Sequence, residues 1–215
     1  MTATITDKLM VKSRHRVKTY GEVFTPSHMV NRMLDLVGEE LEAGPDFVDK
    51  TFLEPAAGDG NFLVAILHRK LHALPKHCPP ESWPTESLFA LASIYGIELL
   101  EDNHADAKDA MLEEFQNFHE NHGVPCQPSE DLMQAASFIV DSNIICGNTL
   151  TGRDSGGELI QFSWWSRVAE QPGMVHREPF SLNSLREPNA FDFTVYDPYE
   201  VCRIDQVHKK REPRG

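Results

Sequence analysis

In Glu54-Pro55-Ala56-Ala57-Gly58-Asp59-Gly60-Asn61-Phe62, an apolar run breaks into an acidic turn before a second apolar run begins. Gly58 and Gly60 permit a tight turn and a close backbone approach, while Glu54 and Asp59 supply carboxylates. A phosphate cradle presents bare amides, usually with a lysine, to an anionic ligand. Acids in the turn suit a ligand with a cationic end and hydroxyls; the alternative is a solvated strand-to-helix turn. Glu98 closes a later apolar run, and an acid at the end of the strand after such a turn accepts hydrogen bonds from ribose hydroxyls. Asn148 offers both a donor and an acceptor to a base edge, although Asn after Gly also suits a purely structural turn.

Positioning these groups takes alternating strands and helices. Thr51 to Leu53 is β-prone, and Phe62-Leu63-Val64-Ala65-Ile66-Leu67 reads as a helix buried against a sheet. Leu91 to Glu98 reads as a second strand, Asp102 to Phe115 as the helix after it, and Ile144 to Cys146 as a short strand. The proline-rich stretch from Leu74 to Glu86 is expected to be a loop that lengthens the interval between Gly60 and Glu98. Upstream, Phe24-Thr25-Pro26 leads into the periodic Met29-Val30-Met33-Leu34-Leu36-Val37. Ser27 or Thr25 is expected to cap a helix that Pro26 helps start, whose N-terminus would offer amides to the carboxylate of a bound amino acid.

The string Glu54 to Phe62 resembles the S-adenosylmethionine-binding first motif of the adenine-N6 DNA methyltransferases of restriction-modification systems. Gly21-Glu22-Val23-Phe24-Thr25-Pro26 resembles the element that precedes it in one topological class of that family. The resemblance implies a Rossmann-like α/β methyltransferase fold, mostly parallel, with helices on both faces. It implies S-adenosyl-L-methionine as cofactor, held by Phe24, Thr25, Pro26, Glu54, Pro55, Ala56, Gly58, Asp59, Gly60, Asn61 and Phe62, with Glu98 at the ribose and Asn148 at the adenine.

The catalytic motif of that family, [Asp/Asn/Ser]-Pro-Pro-[Tyr/Phe/Trp], has a counterpart in Phe193-Thr194-Val195-Tyr196-Asp197-Pro198-Tyr199, one proline short. By resemblance, Asp197 and the Pro198 carbonyl accept hydrogen bonds from the target amino group, and Tyr199 stacks on the flipped base. Two acceptors that hold a delocalised amine towards tetrahedral geometry favour in-line attack on a sulfonium methyl. A missing residue shifts the aromatic by up to about 3.3 Å, so the alternative is an inactive remnant serving as a binding or regulatory subunit. Related Pro-Pro-Tyr sites also modify protein glutamine, and Phe24-Thr25-Pro26 argues against that substrate.

At 215 residues the chain has room for one α/β domain. Residues 21–202 are expected to form it, truncated after the fourth core strand, with an insertion at about 152–190 containing a hairpin around Pro172-Gly173 and Trp164 and Trp165 in its core. The shortened sheet would need a specificity subunit or a second copy to cover its edge. The net charge of −13 divides into +4 over residues 1–20, +3 over residues 203–215 and −20 between. An acidic body repels phosphate, so weak DNA binding is expected from the chain alone, through mobile basic ends carrying Arg14, Arg16, Lys18, Lys209, Lys210 and Arg211. Scattered cysteines, no membrane-spanning run and no leader suggest a cytoplasmic protein without a metal site.

Overall fold

The computed structural model describes residues 11–185 and 199–209. Three short helices come first: α1 (Arg14–Tyr20), α2 (Ser27–Leu34) and α3 (Gly38–Glu42). A parallel core follows: β1 (Phe52–Glu54), α4 (Asn61–His77), α5 (Trp83–Ala92), β2 (Ile94–Glu98), α6 (Glu101–Asn121), α7 (Asp131–Asn143) and β3 (Ile144–Asn148). The chain then forms β4 (Arg153–Asp154), β5 (Gln161–Arg167), β6 (Met174–Ser181) and β7 (Cys202–Arg203).

One sheet runs β1-β2-β3-β4, with the first three strands parallel and β4 antiparallel; a second runs β5-β6-β7. Among the described residues β1 is an edge strand. Every residue of β2 is buried, as expected of a central parallel strand covered on both faces. The two faces meet different layers. Ile94 and Ile144 pack with Leu63, Leu67, Ala107, Met111 and Ile139 of the helices, whereas Tyr95 and Ile97 pack with Ile160, just before β5, and with Phe162 and Phe180 of the β5–β6 hairpin.

The expectation of helices on both faces is therefore corrected for the described residues. The second face is closed by the hairpin, whose inward Phe162 and Phe180 stand edge-on to Tyr95 at ring centroids of 5.5 and 5.9 Å. These rings pack edge to face and, with Phe52, Leu53 and Trp164, also line an apolar cavity of about 190 Å³. The hairpin itself stands where the sequence put it, with seven residue pairs from Gln161↔Ser181 to Arg167↔Val175. Trp164 and Trp165 are half-buried within it, and Trp165 Nε1 donates to Asn143 Oδ1 at 2.9 Å.

The interval from Leu74 to Glu86 is mostly helical rather than a loop. Burial of Leu71 and Leu74 carries α4 through Pro75 to His77, and a 3₁₀ turn at 80–82 delivers Pro84 into the first turn of α5. Proline is well tolerated there because the first amides of a helix have no intrahelical acceptor. Leu91 and Ala92 accordingly finish α5, and β2 begins three residues later than the sequence suggested, at Ile94. Neither Ser27 nor Thr25 caps α2; its N-cap is Pro26, with no side-chain hydrogen bond.

Lys70 of α4 is fully buried, and its ammonium donates to Val48 O, Lys50 O and Ser93 Oγ at 3.0, 2.6 and 2.7 Å. These bonds pin the segment before β1 and the start of β2 to α4. Burial lowers its pKa to about 7. No helix among the described residues is long and apolar enough to cross a membrane.

Candidate functional site

The glycine turn connects β1 to α4 at the C-terminal ends of the parallel strands, where ligands bind in open α/β sheets. Its amides are already engaged. Ala56 N–H donates to Glu54 Oε1 at 3.0 Å, Ala57 N–H to Ile97 O at 2.9 Å, Gly58 N–H to Glu98 Oε2 at 2.7 Å and Gly60 N–H to Ala57 O at 3.0 Å. A phosphate loop needs such donors free, so this turn is built differently. Burial pushes the Glu54 carboxyl above its ordinary pKa, against the opposing hydrogen bond from Ala56.

Gly58 and Gly60 lie at φ +58° and +90°. A Cβ on Gly60 would stand 2.9 Å from Ala107 Cα, and one on Gly58 would stand 3.3 Å from Phe24 Cδ1. The first contact lets α6 close over the turn; the second seats the Phe24 ring against it.

Beside this turn lies a cavity of about 290 Å³, lined by residues 20–24, Pro55, Ala56, Gly58, residues 98–100, Asn103 and residues 147–150. That is near the lower end of small-molecule sites. Among the described residues its charged lining is Glu22 and Glu98, with no lysine or arginine. Glu98 is 7% exposed; besides Gly58 N–H it accepts from Leu100 N–H at 3.0 Å. Asn103 Nδ2 also donates to Glu98 Oε1 at 3.5 Å; an ionised carboxylate has about four lone-pair positions, so three bonds leave capacity for a hydroxyl.

Glu22 joins this wall through Oε2, which accepts from Arg16 Nε at 2.7 Å and Asn103 Nδ2 at 2.9 Å. Glu22 Oε1 and Asn103 Oδ1 are buried without a hydrogen-bond partner among the described residues. Arg16 also forks onto Asp102 at 2.7 and 3.0 Å, which holds that carboxyl well below its ordinary pKa. Exposed Val23, Leu99 and Leu150 give the mouth an apolar rim. Asn148 Oδ1 caps its own turn, accepting from the amides of Leu150 and Thr151 at 2.9 and 3.3 Å.

Of the residues singled out in the sequence, Phe24, Pro55, Ala56, Gly58, Glu98 and Asn148 line this cavity. Glu54 and Gly60 shape the turn from behind. Asp59 and Asn61 line a second cavity of about 340 Å³, together with Ser27 at the start of α2. Asn61 Nδ2 donates to Thr25 O at 3.3 Å, tying the Thr25-Pro26 segment to α4, and Phe62 is half-buried against the core.

Asp197 and Pro198 lie outside the described residues. Tyr199 is described, and it does not line the cavity. Its ring lies 4.1 Å from the Arg177 guanidinium carbon, and its N–H donates to Arg177 O at 3.2 Å. Arg177 also faces Trp165, which holds Asn143, and Asn143 Nδ2 donates to Ala92 O and Ile94 O. Those atoms mark the N-terminal ends of β2 and β3, whereas Glu98 and Asn148 mark the C-terminal ends.

The sequence reading missed Glu22, Asn103 and Leu99 as lining residues. Glu22 stands two positions before Phe24, close enough to have been noticed; Asn103 carries no local signal within a polar helix.

No family model matches the chain, and no solved structure matches it. It is 25% identical over 186 residues to the type II methyltransferase M.BstVI of Geobacillus stearothermophilus, across 86% of this chain and 30% of that protein. The chain thus spans under a third of that relative's length. The similarity is to a methyltransferase, and it accords with an α/β architecture built on a mostly parallel sheet.

Proposed function

We propose that the chain binds S-adenosyl-L-methionine in the cavity beside the glycine turn and belongs to a methyltransferase acting on the N6 amino group of adenine in DNA. The carrying observation is a cavity whose charged lining, among the described residues, is two carboxylates, Glu98 and the Arg16-paired Glu22, at the C-terminal ends of parallel strands, with turn amides satisfied internally. Such a wall disfavours phosphates and suits a ligand with a sulfonium, an ammonium and a ribose diol. Glu98 would accept the diol, Glu22 would face the cationic part, and Val23, Leu99 and Leu150 would flank the flat ring. The cofactor supplies a methyl group activated by positive sulfur.

Methyl transfer would need acceptors for the amino group, a part assigned to Asp197 and the Pro198 carbonyl by sequence. Restriction-modification context, a specificity subunit and a cytoplasmic setting belong to the same proposal. DNA contact from this chain alone would be weak: Lys12 and Arg16 are committed to Asp102, Asp106 and Glu22, and Lys209 to Asp131. A second reading, a cofactor-binding subunit without its own catalysis, is favoured by the seating of Tyr199 on Arg177, away from the cavity.

Calorimetry with S-adenosylmethionine and its demethylated product tests the pocket; no binding at saturating ligand overturns both readings. Labelled methyl transfer to adenine-containing DNA, with and without the rest of the modification system, separates them. Loss of transfer with retained binding in Asp197→Ala supports the catalytic reading, and unchanged transfer removes Asp197 from it.

A further inference from the structure

On the helical side of the molecule, away from the cavity beside Glu98, α4 carries His68 and His72 four residues apart, and α6 brings Glu114 against both. His68 Nδ1 lies 2.8 Å and His72 Nε2 4.0 Å from Glu114 Oε1. One ligand atom from each of the three residues lies within 4.8 Å of the others, and the imidazole centroids are 4.1 Å apart. We propose that His68, His72 and Glu114 form a zinc-type divalent metal site that bridges α4 and α6.

Two imidazoles and a carboxylate are an established donor set for zinc, which leaves a fourth position to water. Histidines at i and i+4 share one helix face, so both rings reach the same point above it. Donors around a tetrahedral zinc stand ~3.3 Å apart at metal–ligand distances of about 2.0–2.1 Å. The present separations straddle that value, and rotation of two surface side chains closes the difference. The imidazoles are 53% and 54% exposed, which gives a cation direct access, while Glu114 is only 20% exposed.

The spacing escaped the sequence expectation of no metal because the third donor is 46 residues from His68 and is delivered only by the packing of α6 on α4.

A metal here would clamp together the two helices that follow the glycine turn and Glu98, and would raise stability by mass action. The test is titration of untagged protein with Zn²⁺, read by calorimetry and thermal denaturation, with Co²⁺ absorption as a second probe. Expected are one equivalent bound at micromolar affinity or better, a raised Tm, and a cobalt spectrum without thiolate charge transfer. His72→Ala and Glu114→Gln should each weaken binding at least tenfold and abolish the Tm rise while folding normally in metal-free buffer. Undiminished binding in both variants, a thiolate spectrum, or affinity only in the millimolar range would overturn the site. Should a variant fail to fold, ring-nitrogen NMR of the native protein decides: His68 and His72 must shift first on Zn²⁺ addition.

Discussion

The Glu98 carboxylate at the end of β2 accepts the amide of Gly58 at 2.7 Å, joining two segments 40 residues apart. One acid thereby fixes the glycine turn and forms part of the cavity wall. Glu98→Gln keeps the volume but replaces a charged acceptor that is almost fully buried. Hydrogen bonds to charged groups contribute about 1.5–3 kcal/mol. The variant should lose stability of that order in urea and bind S-adenosylmethionine at least about tenfold more weakly by calorimetry.

Gly60 is the position at which the turn tolerates no side chain. Gly60→Ala combines a φ of +90° with a Cβ at 2.9 Å from the backbone of Ala107. Left-handed strain and overpacking each cost about 1–3 kcal/mol, so chemical denaturation should show a loss of roughly 2 kcal/mol or more. Gly58→Ala, at φ +58° and 3.3 Å from a side chain that can shift, should lose less.

His119 gives the fold a defined acid sensitivity. It is completely buried and 2.9 Å from Ser87 Oγ, and burial lowers its pKa from 6.5 to about 4. Between those values the unfolded chain takes up a proton that the native state does not, so stability falls as pH falls from 6.5 towards 4. Below that, both states are protonated and the loss stops growing. The contribution amounts to at most about 3 kcal/mol, and His119→Leu should flatten this part of the stability profile.

Tyr199 separates a structural from a cofactor role. Its ring stacks on Arg177, a contact of about 0.5–2 kcal/mol. Tyr199→Ala should lower Tm modestly and leave S-adenosylmethionine affinity unchanged. A large loss of cofactor affinity would place the ring nearer the cavity than it stands.

Much of this organisation was legible in the sequence because it rests on local chemistry. The glycines of the 54–62 turn, the acid closing β2, the alternation of strand and helix and the turn at Pro172-Gly173 each carry their reason within a few residues. The prolines of 74–86 misled for a related cause: their types signal a break, but buried Leu74 and the position of Pro84 in a first turn make them parts of helices. Tertiary packing decided what spacing cannot express. It committed turn amides to Ile97 and Glu98, brought Glu22 and Asn103 into one wall, covered the second face of the sheet with a hairpin, and set Glu114 between two histidines. Each is a contact between residues distant in the chain, fixed by which surfaces exclude water together, and no stretch of sequence contains both partners.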